Sequence, residues 1–185
     1  MDTRPPHHAW REVLRFWREA GPQAWFRKNE AFDTRFRERF NDAHFAAARR
    51  ELDAWADDTA ESALALVLLL DQYPRNAFRG TGHMYATDPL ARQAAARLLE
   101  HGFDAQIEPA LRLFCYLPFT HSESMADQER SLALHGALDA ESAEHARGHW
   151  DIIRRFGRFP HRNAMLGRTT TAEEQAFLDQ GGFSG

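Results

Sequence analysis

The sequence predicts an all-α fold, and three observations carry that expectation. Apolar residues recur at helical steps of three and four along the chain, no stretch alternates strictly with a period of two between hairpin signals, and Pro, Gly and capping residues leave only short connections. The 185 residues, 43% hydrophobic and 12% aromatic, suffice for a core that needs neither disulfide nor metal. The expectation is about ten helices packed as antiparallel helical hairpins in a compact superhelix or bundle. They form one helical domain over residues 1–185, with residues 1–7 as a mobile tail.

The elements follow in order. The first helix covers roughly residues 8–20, with Trp10, Val13, Leu14 and Trp17 on one face and Gly21-Pro22 as its stop. A second places Phe32, Phe36 and Phe40 at four-residue steps, and a third sets Phe45, Ala48, Leu52 and Trp55 on one stripe. Asp58 with Glu61 has the pattern of a capping box, and Ala63 to Leu70 is apolar on every face, which predicts a central helix surrounded by others. Asp88 as N-cap, Pro89 in the first turn and Gly102 as terminator frame the next helix. Pro109 opens one through Tyr116 that Pro118 limits, and two more occupy about 123–136 and 141–156, with Gly157 as C-cap. Pro160 opens a short helix to Leu166, and "TAEE" at Thr171 to Glu174 is a capping box for a last helix ending at Gly181-Gly182. The tetratricopeptide consensus spacing, with its period of about 34 residues, does not recur.

Composition narrows the function classes. A net charge of −4 provides no global basic field, so no nucleic-acid partner is expected. Cys115 is the sole cysteine, which excludes an intramolecular disulfide and a cysteine-rich zinc site and suits a reducing cytoplasm; its apolar neighbours make it a packing residue. "ALALVLLL" is too short to span a bilayer and the N-terminus has no apolar signal region, so a soluble cytoplasmic protein without a membrane partner is expected.

Three stretches put polar groups where the helical pattern calls for apolar ones. In "LLLDQYPRNAFRG", Asp71, Arg75 and Arg79 lie four apart, as do Gln72 and Asn76, and Pro74 either kinks the helix or restarts it. In "HSESMADQERS", Gln128 falls on the inward side between Met125 and Leu132, and Glu123, Asp127 and Arg130 form the adjoining face. In "HARGHWDIIRRFGRFPHRNAMLGR", His145 and His149 lie along an apolar line, followed by Arg154, Arg155, Arg158, His161, Arg162, Asn163 and Arg168. The spans 71–79, 121–131 and 149–168 together hold eight arginines against five carboxylates, in a chain whose overall charge is negative. Converging in space, they form a positively biased pocket.

The segments "LLLDQYPRNAFRGTGHMYATDPLA", "YLPFTHSESMADQERS" and "HWDIIRRFGRFPHRNAMLGR" resemble the signature segments of the DUF924 family, and the likeness runs from "VLRFW" to "FLDQGGFSG". The resemblance implies a bacterial and plant family of unknown function with a tetratricopeptide-like all-helical fold. It implies no reaction, cofactor or catalytic residue.

The residues themselves point to a pocket for a small anionic ligand or acidic peptide group. It is built from Asp71, Gln72, Arg75, Asn76, Arg79, His121, Glu123, Asp127, Gln128, Arg130, His149, Arg158, His161, Arg162 and Asn163. Guanidinium forks suit carboxylates and phosphates because they donate two parallel hydrogen bonds. Two alternatives stand beside it. One is a hydrolase-type enzyme with His121, Glu123 or His161 as general acid or base. The other is an interaction scaffold whose arginines pair with Asp71, Glu123, Asp127 and Asp151 in a purely structural network. No metal or other cofactor is expected: His145 and His149 have the spacing of two helical ligands, but the glutamate of a zinc-protease motif is missing between them.

Overall fold

A computed structural model describes residues 9–183, so the expected tail over residues 1–7 lies outside the described residues. Among the described residues there are eleven α-helical segments, four 3-10 turns and no strand: the chain is all-α. No described helix is long and apolar enough to cross a membrane. The chain divides into two compact units, one running from the first described helix to Arg79 and including His83–Pro118, the other comprising Gly80–Gly82 and the chain from Phe119 onward.

The first unit holds α1 (Ala9–Ala20), α2 (Pro22–Trp25), α3 (Glu30–Ala48), α4 (Trp55–Asp58), α5 (Ala60–Ala77), α6 (Asp88–Glu100) and α7 (Pro109–Arg112). α1, α3, α4 and α6 all pack on α5, the helix whose apolar residues show no preferred face, and Leu64 to Leu70 are buried along it. Each leucine or valine among them contributes about 1.5–3 kcal/mol relative to exposure. Trp17, wholly buried, stacks on Trp25 and meets Phe114 edge-on, so α1 is held by aromatic packing as well.

Four local expectations are corrected here. The phenylalanines at 32, 36, 40 and 45 share the single helix α3, which ends where Arg50 turns left-handed at φ 66° and the Glu51 N–H returns to the Ala46 carbonyl. Ala48, Leu52 and Trp55 therefore do not lie on one helical stripe. The capping box is Thr59 with Ser62 rather than Asp58 with Glu61, because the Thr59 and Ser62 side chains each accept the other's backbone N–H. Asp88 is already inside α6, with Thr87 at the N-cap position. The helix from Pro109 gives way to a 3-10 turn at Leu113–Cys115, and Pro118 does not end a helix but sits in the first turn of α8 (Leu117–Thr120), where its missing N–H costs nothing.

In the second unit α9 (Met125–Gly136) and α10 (Ala140–Phe156) pack together, and Asp139 caps α10 through the Ser142 N–H. Gly157 closes α10 in the left-handed conformation, as the sequence predicts. Pro160 opens a 3-10 turn to Arg162 rather than a helix to Leu166; the Leu166 N–H bonds to the Arg162 and Asn163 carbonyls within a series of turns. α11 (Ala172–Asp179) follows behind the predicted Thr171–Glu174 capping box. Ile152, Ile153 and Phe159 form the buried centre, with Met125, Phe156 and Phe177 packed against it.

Candidate functional site

The first polar stretch begins inside α5. Pro74 lies within the helix, so the Leu70 carbonyl has lost its usual donor, and Thr87 Oγ1 donates to that carbonyl at 2.6 Å instead. His44 Nδ1 donates to the preceding carbonyl, of Leu69, at 2.9 Å. α5 ends at Ala77, so Arg79 leaves the stripe that Asp71 and Arg75 begin.

Each charge on this stretch meets a partner in its own unit. Arg75 forks onto Asp88 at 2.8 and 3.0 Å and stands 3.2 Å from Asp71, whose carboxylate also accepts from Gln72 Nε2 at 2.6 Å. Burial opposes the charged form of Arg75, but Asp71 and Asp88 outweigh it and its pKa is raised. The buried Asp33 carboxylate accepts from Asn76 Nδ2 at 2.7 Å and from Arg79 Nε at 2.6 Å. Asp33 comes from α3 and Asp88 from α6, so the arginines tie three helices together.

The second and third stretches lie together in the second unit. Gln128, wholly buried, aims its Nε2 at the Thr120 and Ser122 carbonyls at 2.7 and 2.6 Å, while Ser122 Oγ donates to Asp127 at 2.6 Å. These bonds set the loop before α9. Arg130 lays its guanidinium over the Phe119 ring at 4.5 Å. Glu123 receives both terminal nitrogens of Arg168, at 2.8 and 3.0 Å, and the Phe159 N–H at 2.8 Å. Burial acts to raise the Glu123 pKa, but Arg168 and that N–H prevail and lower it.

Arg158 forks onto Glu174 at 2.6 and 2.9 Å, and the same carboxylate accepts from Asn163 Nδ2 at 3.2 Å and the Thr171 N–H at 2.8 Å. The Arg158 bond is the main cause holding Glu174 at about 2. Glu174 thus completes the cap of α11 and neutralises an arginine at once.

What remains is a histidine-rich cluster. His149 Nδ1 donates to the His145 carbonyl one turn back at 3.0 Å, and the rings of His145 and His121 lie 4.6 and 6.5 Å from it. His149 and His161 both pack on the buried ring of Phe159, with centroids 5.6 and 5.7 Å away, and Arg162 stacks on the same ring at 4.4 Å. Burial, followed for His161 by the neighbouring Arg162, lowers His149 to about 3 and His161 to about 4, so both are neutral at pH 7. His161 Nδ1 is buried and makes no hydrogen bond. Among the described residues no three His, Cys, Asp or Glu side chains are grouped as a metal ion requires.

Of the expected pocket, Asp71, Gln72, Arg75, Asn76 and Arg79 belong to the first unit. His121, Glu123, Asp127, Gln128, Arg130, His149, Arg158, His161, Arg162 and Asn163 belong to the second. A groove of 590 Å³ in the first unit, lined by Trp10, Arg11, Ala54, Trp55, Asp57, Asp58 and Thr59, contains none of them.

A family model described as a bacterial protein of unknown function, DUF924, matches residues 13–182. The chain belongs to the DUF924 family. A solved structure of a protein of unknown function from Agrobacterium tumefaciens is similar at 53% sequence identity and a TM-score of 0.92, covering 95% of this chain and 99% of that chain. Comparison with curated proteins gave no match. In this DUF924 chain the partners that sequence reading missed are Asp33, Asp88, Thr87 and Phe183, whose ring lies 4.6 Å from that of His149 and 5.1 Å from that of His161. The first two carry no local signal, because a carboxylate on a helix reads equally well as a solvated face. Glu174 was legible only as a cap.

Proposed function

We propose that this protein is a helical binding scaffold that takes a small anionic group, a carboxylate or a phosphate, at the histidine-rich cluster of the second unit. His161 supplies the imidazole, beside the Arg162 guanidinium that stacks on Phe159. Arg75, Arg79 and Arg158 are occupied by carboxylates and act as struts, which supports the structural-network alternative for those residues. The observation that carries the reading is His161: a partly exposed imidazole next to Arg162 whose buried Nδ1 has no hydrogen-bond partner, a polar group that a ligand oxygen satisfies. Succession of α9 and α10 through a short connection is compatible with a tetratricopeptide-like arrangement of helical hairpins.

Calorimetric titration with inorganic phosphate and with citrate tests this. Binding in the millimolar range or tighter is expected, weakened about 10-fold by His161→Ala, which removes one hydrogen bond to a charged group. Affinity should rise as pH falls from 7.5 to 5.5, because an imidazole pKa lowered in the empty site is raised by a bound anion and a proton is taken up on binding. No heat and no stabilisation at 10-fold higher ligand than about 1 mM would overturn the proposal.

A further inference from the structure

We draw no further inference here: the strongest candidate, the groove of the first unit lined by Trp10, Arg11, Trp55 and Asp58, keeps both indoles buried, and nothing in the structure shows what covers it.

Discussion

Pro74 removes a backbone donor from the most buried helix of the first unit, and Thr87 returns one from outside it. Thr87→Val keeps the side-chain shape and deletes that donor, leaving a buried carbonyl unsatisfied, so a loss of about 1–3 kcal/mol in urea denaturation is expected. In a Pro74→Ala background the cost of Thr87→Val should fall by about half or more, because alanine restores the N–H to Leu70; equal costs in both backgrounds would show that Thr87 acts through packing alone. The same scale explains Cys115. Burial pushes its thiol to about 12, so native protein should not react with a thiol reagent at pH 8 on the time scale of minutes, whereas denatured protein should. Pro74 announced a defect in the sequence, but nothing local announced Thr87, because its hydroxyl is brought to Leu70 only when α6 packs on α5.

Helix ends separate what is legible at the level of the element. Gly102 and Gly157 read as terminators and take the left-handed conformation, and the Thr171 cap reads directly from "TAEE". The end of α3 did not read, since its left-handed position carries Arg50, a side chain that disfavours φ 66°. Arg50→Gly should therefore stabilise by roughly 0.5–1 kcal/mol, reduced by whatever the exposed pair with Asp53 contributes. A thermal midpoint that falls would assign the larger role to that pair. The capping box starts at Thr59 rather than Asp58 for a related reason: both are good N-caps, and only the backbone path selects between them.

For the molecule as a whole, the histidines of the second unit set an acid response. Burial, their first cause, lowers His135 and His161 to about 4 and His149 to about 3, against an ordinary 6.5. The unfolded chain takes up these protons more readily than the folded one, so their contribution is complete above pH 6.5 and is lost as pH falls toward 3–4. Each contributes at most about 1.4 kcal/mol per pH unit in that window, less where solvent screens it. Glu174 adds a second loss below pH 4.5, complete near its folded value of about 2. Urea midpoints should therefore fall between pH 6.5 and 4, with hydrogen exchange rising first in α9 and α10; a flat profile over that range would contradict the burial of these rings.

The sequence by itself determined the all-α class, the central apolar helix, most helix boundaries and the family, because periodicity, caps and glycine stops act between residues one turn apart. It also marked the three polar stretches as exceptions to their own pattern. Only the tertiary structure decided what those polar groups do: Asp33 meets Asn76 and Arg79, Asp88 meets Arg75, Glu174 meets Arg158, and Phe183 settles on His149 and His161. An arginine's charge can be read from its letter, but its neutralisation depends on which carboxylate another element carries to within hydrogen-bonding distance, and no local spacing specifies that approach.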